Sequence, residues 1–365
     1  MKICISTITD YNNYGNRLQN YALQKTLESL GFEAESLRNF SIVDNRNVMQ
    51  KTIDVLRSGK LLDRILPKRK SKLPAEVVLA RKQNFTSFTS DFIHETSFKV
   101  DQNTINFDFE KNYDYFIVGS DQVWNPQFQR FSTLDFIPYA EKKKRISYAA
   151  SFGVGSIPDA EKNIYIQGLN GIEEISVREE SGASIVKTLT GRTVPVVLDP
   201  TFLLKKEEWS HLIDEHASDG KFLLTYFLGT PSEIEMKYIN DYAKANNLSI
   251  KHLNNSCDLD TWTSGPKQFI QLFSQATAIF TDSFHACAFS LIFEKPFIVF
   301  ERHDHLNSMN SRIDTLLNTF HLNAQKFDAE NLEFDIIVKY DDTRTVLEKE
   351  RAKSFSFLKQ ALNIK

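Results

Sequence analysis

The feature that most constrains this chain is a repeated alternation of short apolar runs with segments of helical periodicity. Apolar runs of strand length occupy residues 2–9, 113–119, 146–150, 175–177, 194–198, 221–228, 248–252, 278–281 and 296–300. Residues 18–30, 232–246, 268–275, 284–293 and 313–320 show helical spacing instead. Strands that alternate with helices pair in parallel and are joined by crossover helices. The sequence therefore predicts an α/β fold.

The length of the chain predicts two such units. Its 365 residues exceed what one hydrophobic core usually organises. We expect an N-terminal α/β domain over residues 1–200 and a C-terminal α/β domain over residues 201–340. These would be two Rossmann-like domains that face a central cleft. Residues 341–365 contain an amphipathic helix that no strand follows, and we expect it to form a separate C-terminal element.

Composition and charge exclude several classes of protein. With 41% hydrophobic and 25% charged residues, the chain is neither disordered nor of low complexity. Its net charge of −3 gives no general attraction for nucleic acid. The longest apolar stretch, residues 286–293, is far shorter than the roughly 20 residues that span a bilayer. The first apolar run is too short for a signal peptide and three cysteines are too few for a disulfide framework, so we expect a soluble cytoplasmic protein.

A basic segment interrupts the pattern, inside an expected insertion at about residues 50–75. Residues 57–72 contain seven basic side chains and one acidic side chain, and the apolar residues of 53–66 add a hydrophobic side. One interpretation is an amphipathic helix that lies on anionic lipid, as a peripheral contact with the inner face of the membrane. The other is a solvated helix that packs on the N-terminal domain. We favour the second, because such helices are common on α/β surfaces.

Two polar turns in the N-terminal domain are candidates for ligand binding. Asn13 stands between the first strand and the first helix, where α/β folds place ligands. The strand at 113–119 leads into Asp121 and Gln122, which could hold sugar hydroxyls, and into Trp124, whose ring could cover a pyranose. The alternative is a helix cap followed by a tryptophan in the core. The sequence leaves both interpretations open.

The C-terminal domain contains the sharpest candidate. The strand at 278–281 ends in Asp282 and Ser283, and His285 follows near a helix start. A histidine there can act as a general acid, with Asp282 as its orienting group or base. The alternative is a histidine packed in the core, which the polar residues before it disfavour. The positive end of the helix would lower the pKa of His285, so a bound dianion would be needed to keep it protonated.

Two arginines at element ends are candidates for anion binding. Arg178 directly follows the strand at 175–177, and Arg312 precedes the helix at 313–320. The guanidinium group matches the geometry of carboxylate and phosphate, although a salt bridge to a neighbouring acid is the commoner arrangement. No metal site is expected. His303, Asp304 and His305 could be metal ligands, but no further ligand stands at a fixed spacing from them. They fit a polar loop better.

Taken together, these segments resemble the polysaccharide pyruvyl transferase family. The resemblance runs from residue 3 to about residue 320 and is carried by seven motifs in family order. They are NNYG (12–15), VGSDQVWN (118–125), ISYAASFG (146–153), SVREES (176–181), LDPT (198–201), TDSFH (281–285) and MNSR (309–312). The family resemblance implies a GT-B-like fold, with the active site in the cleft between the domains.

The resemblance also implies an activity, the transfer of the carboxyvinyl group of phosphoenolpyruvate to two hydroxyls of one sugar. Arg178 matches the family arginine that grips phosphoenolpyruvate, and His285 matches the histidine that acts as general acid. In some branches an arginine stands where this chain has Ser283. We expect Ser283 to bind the donor here and Arg312 to serve as a second donor clamp. The acceptor sugar would be held from the N-terminal domain, by Asn13, Asp121, Gln122 and Trp124.

The substrates expected from this resemblance are phosphoenolpyruvate and a lipid-linked or nucleotide-linked glycan, and no cofactor is expected. Such enzymes build bacterial capsules, exopolysaccharides and cell-wall polymers. Two alternatives stay open. One is a GT-B glycosyltransferase that uses a nucleotide sugar. The other is an inactive relative that binds glycans; the presence of both Arg178 and His285 disfavours it.

Overall fold

Two parallel β-sheets form the framework of the chain in the computed structural model, which describes residues 1–40, 73–104, 106–213, 220–302, 311–330, 336 and 338–364. The strands are β1 (Lys2–Ser6), β2 (Glu33–Asn39), β3 (Glu95–Val100), β4 (Tyr115–Val118), β5 (Arg145–Ala150), β6 (Glu174–Val177), β7 (Phe222–Tyr226), β8 (Ser249–Leu253), β9 (Ala278–Thr281) and β10 (Phe297–Val299).

Helices follow most of these strands. The described α-helices are α1 (Tyr14–Ser29), α2 (Ala75–Phe92), α3 (Lys162–Asn170), α4 (Glu180–Thr190), α5 (Lys206–Ser210), α6 (Glu233–Ala245), α7 (Leu259–Trp262), α8 (Pro266–Gln275), α9 (Phe284–Ile292), α10 (Ser311–Thr319) and α11 (Tyr340–Ala361). Short 3-10 helices cover Asp108–Asn112, Thr133–Phe136, Lys142–Lys144, Pro200–Phe202 and Asn323–Gln325. Among the helices described here, none is long and apolar enough to cross a membrane.

The first lobe is built on a six-stranded sheet with the order β3-β2-β1-β4-β5-β6. All of its strand pairs are parallel. The strand order is that of a Rossmann sheet: β2 and β3 lie on one side of β1, and β4, β5 and β6 lie on the other. The sequence did not reveal β2 and β3, because most of their residues are polar, including buried ones such as Ser36 and Asn39. The predicted strand at 194–198 is wrong: only Val196 forms a bridge there, to Val177.

The second lobe is built on a four-stranded sheet with the order β10-β9-β7-β8. Its pairs are also parallel, and every residue of β7 and β9 is buried. Strands that are covered by helices on both faces read as continuous apolar runs, which is why the sequence revealed them. The two parallel sheets confirm the predicted GT-B-like α/β architecture. The proposed domain boundaries at 200 and 340 stay predictions.

Helix α1 belongs to the cores of both lobes. On one side, Leu23 and Leu27 join the cluster under the first sheet. On the other side, Tyr14 and Leu18 join the main cluster of the second lobe. The Tyr14 ring stacks on Phe269 of α8 at a centroid distance of 5.0 Å. The lobes therefore share apolar packing beside the cleft, which fixes the first turn of α1 against the second lobe.

A buried arginine of α2 strengthens this contact. The Arg81 guanidinium lies 4.9 Å from the Tyr14 ring centre and 4.7 Å from that of Trp262. It also donates hydrogen bonds to the Tyr14 hydroxyl and to the Trp262 carbonyl, at 2.6 and 2.8 Å. Stacking and hydrogen bonding keep this cation paired although it is buried.

The C-terminal helix α11 returns to the first lobe. Its residues Phe357 and Leu358 complete the core under the first sheet. Ser354 accepts a hydrogen bond from the backbone N–H of Leu198 at 3.0 Å, and Arg351 donates to the Phe202 carbonyl at 2.6 Å. The helix therefore supports the segment that carries residues 198–202.

Replacing Leu18 with alanine tests the shared core. The side chain is 0% exposed, so we expect the free energy of unfolding to fall by about 2–5 kcal/mol. Leu79→Ala is the matched control, because Leu79 is 54% exposed, and its effect should stay within about 0.5 kcal/mol. Chemical denaturation of both variants measures the difference. Equal losses would contradict the packing described for α1.

Candidate active site

A cleft of about 390 Å³ lies between the two sheets. Its walls follow the carboxyl ends of β1, β4, β7 and β9, which is the edge where parallel sheets bind ligands. Seven of the nine predicted site residues line it, namely Asn13, Asp121, Gln122, Asp282, Ser283, His285 and Arg312. Arg178 lines an adjoining cavity of about 330 Å³ that shares Phe284 and Arg312 with the cleft.

A buried carboxylate, Asp199, lies at the centre of the site. Its Oδ2 accepts hydrogen bonds from Arg178 Nη1 at 2.7 Å and from Ser120 Oγ at 2.9 Å. The same oxygen lies 3.8 Å from His285 Nε2, on the other lobe. Burial opposes the ionisation of Asp199, but His285 and Arg178 outweigh it and hold the pKa of the carboxyl below its usual value.

Arg178 is held as a cation inside the protein. Its side chain is 1% exposed. Besides the contact with Asp199, it forms an ion pair with Asp121, in which Nη2 lies 3.5 Å from Oδ1. The guanidinium also lies 4.5 Å from the centre of the Phe284 ring. Burial lowers its pKa, yet the carboxylates of Asp199, Asp121 and Glu179 outweigh burial and the pKa is raised. Nε and Nη2 make no hydrogen bond to any described residue, so these two nitrogens are left for a ligand.

His285 begins the first turn of α9 and packs against the first turn of α1. A Cβ atom added to Gly15 would lie 2.1 Å from His285 Nδ1, so only glycine leaves room for the ring. Burial is the largest cause that lowers the pKa of His285. The carboxylates of Asp199 and Asp121 oppose this shift, but they do not cancel it. His285 is therefore neutral near pH 7 unless an anion binds beside it.

Arg312 is a second buried cation, at the start of α10 and 7% exposed. Burial and then the like charge of Arg178 lower its pKa to about 10, so it remains charged near neutral pH. Gln122 lies beside it. When the amide oxygen of Gln122 faces Arg312, it accepts hydrogen bonds from Nη1 and Nη2 at 3.2 and 3.3 Å. The two guanidinium groups repel each other, and the Nε of each has no hydrogen-bond partner among the described residues. Both features favour an anion between them.

Of the polar residues predicted for an acceptor sugar, Asn13 lies at the open side of the cleft and Asp121 lies beside Arg178. Asn13 caps α1 by accepting a hydrogen bond from the Asn16 backbone at 3.0 Å, and it lines the open side of the cleft. Asp121, with a φ of +67°, turns its carboxylate toward Arg178. Burial opposes its ionisation, but Arg178 and then His285 hold its pKa below the usual value. Asp121 therefore belongs with the charged centre.

The structure corrects the prediction for Trp124. Its side chain is 0% exposed, and its indole N–H donates to the Asp135 carbonyl at 2.9 Å. The ring stacks on Phe136 and touches Phe152, at centroid distances of 5.6 and 5.2 Å. Trp124 is a core residue of the first lobe, so its ring is not available to a sugar.

Asp282 and Ser283 lie at the cleft in roles that the sequence did not reveal. Both carboxylate oxygens of Asp282 accept backbone hydrogen bonds at 2.7 Å, from Leu228 and Gly229, and burial raises its pKa. The carboxylate that faces His285 is Asp199 from the opposite lobe. Ser283 stands at the N-cap of α9 without a capping hydrogen bond from its side chain.

Three residues of the site were not singled out from the sequence: Asp199, and Gly15 and Asn16 within the candidate turn at 12–16. Asp199 stands in the LDPT motif, which marked it only as the end of a strand. Asn16 Oδ1 accepts from Asp10 N and Arg17 Nη2 at 3.1 and 2.9 Å, while its buried Nδ2 has no partner among the described residues. The basic segment at 57–72 and the residues of 303–310, including His303, Asp304 and His305, lie outside the described residues.

The fold and this site define a two-lobed α/β protein with buried arginines at the cleft between the lobes. The family model of polysaccharide pyruvyl transferase matches residues 13–305, and the chain belongs to that family. The family supports a transferase that acts in polysaccharide pyruvylation. A sequence search of curated proteins found no match.

Several solved structures are similar to the chain at low identity. A Listeria monocytogenes protein assigned as a UDP-N-acetylglucosamine 2-epimerase has a TM-score of 0.49 and 10% identity, covering 100% of this chain and 97% of its own. The UDP-GlcNAc 2-epimerase of Neisseria meningitidis, bound to UDP-GlcNAc, has a TM-score of 0.43 and 12% identity, with 99% and 94% covered. MurG of Acinetobacter baumannii has a TM-score of 0.40 and 9% identity, with 97% and 94% covered.

The pKa of His285 gives a direct test of this electrostatic arrangement. In the free protein we expect His285 to titrate below the ordinary value of 6.5, because burial disfavours the cation. Inorganic phosphate bound between the arginines should raise this pKa. NMR titration of labelled histidine measures both values, with His285→Gln to assign the signal among the 8 histidines. A titration at or above 6.5 without phosphate would contradict the description.

Proposed function

We propose that the chain is a ketal pyruvyltransferase that moves the carboxyvinyl group of phosphoenolpyruvate onto two hydroxyls of one sugar. The sugar belongs to a bacterial surface polysaccharide or to its lipid-linked or nucleotide-linked precursor. Phosphoenolpyruvate is a central metabolite of the cytoplasm, so we place the reaction there. Family membership supports the class of reaction, and the geometry of the cleft supports the donor.

The observation that carries the proposal is the meeting of Arg178 and His285 on one carboxylate. Arg178 comes from the first lobe and His285 from the second, and both face Asp199 Oδ2, at 2.7 and 3.8 Å. Phosphoenolpyruvate carries a phosphate and a carboxylate on one small carbon skeleton. Arg178 can bind these anionic groups, and His285 can protonate the alkene carbon beside them, so both needs of the donor are met in one site.

The donor would bind as an anion between the arginines. Arg178 and Arg312 repel each other, and burial lowers the pKa of Arg312 to about 10. A phosphate or carboxylate between them supplies the missing counter-charge and accepts from their free Nε groups. The same anion raises the pKa of His285, so the donor brings about the protonation that its own reaction needs.

The chemistry then proceeds at the two alkene carbons. His285 gives its proton to the methylene carbon, which becomes the methyl group of the product. The neighbouring carbon gains oxocarbenium character and is attacked by the first sugar hydroxyl. Its bond to the phosphate oxygen breaks, phosphate leaves, and the second hydroxyl attacks the same carbon to close the ketal. One hydroxyl proton reloads His285 and the other leaves with phosphate.

Asn13 and Gln122 are the residues we propose for the acceptor sugar. Both line the cleft, and both carry an amide that can donate to and accept from hydroxyls. Asn13 is exposed at the mouth of the cleft, and Gln122 lies deeper, beside Arg312. An acceptor that extends from the deep amide to the exposed one can remain attached to a carrier outside the cleft.

Binding of the donor is tested by thermal unfolding with phosphoenolpyruvate, UDP and GDP. At 100 times its dissociation constant, phosphoenolpyruvate should add about 2.7 kcal/mol to stability. Arg312→Met should abolish this gain without destabilising the free protein, because it removes a cation from a site that disfavours charge. Arg344→Met, which changes an exposed arginine of α11, is the matched control and should keep the gain.

The outcomes separate the functions. Stabilisation by a nucleoside diphosphate and none by phosphoenolpyruvate would replace the proposal with glycosyl transfer. Binding of sugar without binding of phosphoenolpyruvate or release of phosphate would indicate an inactive glycan-binding relative.

Turnover is tested by His285→Gln. The variant keeps both arginines, so we expect phosphoenolpyruvate to stabilise it as it stabilises the wild type. Its rate of ketal formation should fall by about 10²–10⁴-fold, because the general acid is lost. Mass spectrometry of a panel of lipid-linked and nucleotide-linked sugars, with phosphate release, measures the rate. Wild-type rates in the variant would remove His285 from the reaction.

A further inference from the structure

Asp199 connects the two lobes of the site. We propose that it is a positioning residue that holds the Nε2 edge of His285, so that Nδ1 is the nitrogen that gives its proton to the bound donor. The part that concerns proton transfer rests on the pyruvyl-transfer function proposed above. The part that concerns the placement of the proton on His285 can be tested without any turnover.

The two edges of the His285 ring face different surroundings. Nε2 is buried, makes no hydrogen bond to any described residue and lies 3.8 Å from Asp199 Oδ2. The opposite edge faces α1, where a Cβ atom on Gly15 would lie 2.1 Å from Nδ1 and 2.6 Å from Cε1. Gly15 and His285 both line the cleft. Because Nε2 is buried beside Asp199, Nδ1 is the ring nitrogen left to serve a donor bound in the cleft.

Asp199 is fixed in the orientation that this role requires. Its Oδ1 accepts from the backbone N–H and from the hydroxyl of Thr201, at 3.0 and 2.9 Å. Oδ2 is consequently the oxygen that faces the site, and Ser120 and Arg178 hold it there. The side chain is 0% exposed, so water does not compete for it.

The separation of 3.8 Å is an ion-pair distance and too long for a hydrogen bond. A proton on Nε2 places positive charge toward the Asp199 carboxylate across this distance, which favours the proton at this nitrogen. With Nε2–H held by Asp199, the second proton of the imidazolium is on Nδ1. Nδ1 passes that proton to the methylene carbon of the donor and is left with a lone pair. It then takes a proton from an attacking sugar hydroxyl, so His285 returns to its starting form.

Charged groups surround His285 on every packed element. They are Asp121, Arg178 and Asp199 from the first lobe and Asp282, Arg302 and Arg312 from the second. Asp199 is the first of the two carboxylates that raise the pKa of His285, so its removal should lower that pKa. Asp282 is occupied by two backbone N–H groups. Asp199 is therefore the carboxylate that can decide which nitrogen keeps the proton.

The test is the tautomer of neutral His285, read from its ¹⁵N chemical shifts in wild type, Asp199→Asn and Asp10→Asn. The wild type should show Nε2–H. In Asp199→Asn the amide oxygen stays with Thr201, because asparagine is also a good capping residue. Its NH2 group then takes the place of Oδ2, so the carboxylate charge that favours a proton on Nε2 is lost. His285 should switch to Nδ1–H, and its pKa should fall.

Asp10→Asn is the matched control. Asp10 also lines the cleft, and the substitution removes the same charge, but its carboxylate accepts from the Asn12 backbone. We expect it to keep the Nε2–H tautomer. Nδ1–H in the wild type, or the same tautomer in wild type and Asp199→Asn, would overturn the proposal. The wild-type measurement alone decides if Asp199→Asn does not fold.

Kinetics distinguish positioning from a purely structural role. Asp199→Asn should lower kcat by about 10²-fold or more, because the histidine is held in the wrong tautomer. The basic limb of its pH profile should move to lower pH, since the imidazolium form is lost earlier. An unchanged limb with the expected tautomers would overturn proton transfer from Nδ1. If phosphoenolpyruvate neither binds nor reacts, the pyruvyl-transfer function fails, while the tautomers still test the placement of the proton.

Discussion

The buried ion pair between Arg178 and Asp199 is the interaction on which the site depends. Taking a guanidinium and a carboxylate out of water costs several kcal/mol for each group, so neither persists without the other. Their contact at 2.7 Å joins the end of β6 to the 198–202 segment. Ser120 then connects β4 to the same oxygen. Three segments of the first lobe are thereby fixed around one charge, which is presented to His285 of the second lobe.

The apolar contact between the lobes sets the distance at which these charges meet. Helix α1 is part of both cores, so its first turn cannot move away from the second lobe without exposing Tyr14 and Leu18. Gly15 lies in that turn and packs against His285. The hydrophobic contact that joins the lobes therefore also holds the histidine ring in place beside the cleft. Stability and the geometry of the site share one helix.

Different parts of the fold and site were readable from the sequence to different degrees. The strands β7 and β9 were found because both of their faces are buried and their runs are fully apolar. The strands β2 and β3 were not, because polar residues interrupt their apolar pattern. Trp124 was misassigned because a tryptophan after a polar turn looks the same whether its ring faces a cleft or a core. Asp282 was paired with His285 because they are neighbours in the chain, whereas space pairs His285 with Asp199.

The sequence by itself determined the α/β architecture, the family and the chemically able residues Arg178, His285 and Arg312. These follow from local patterns and ordered motifs, which need no knowledge of distant contacts. Only the tertiary structure decided that Asp199 faces His285, that Arg312 approaches Arg178 and that Gly15 makes room for the ring. These pairs are far apart along the chain and come from both lobes. Electrostatic and steric effects depend on distance in space, and folding alone sets that distance.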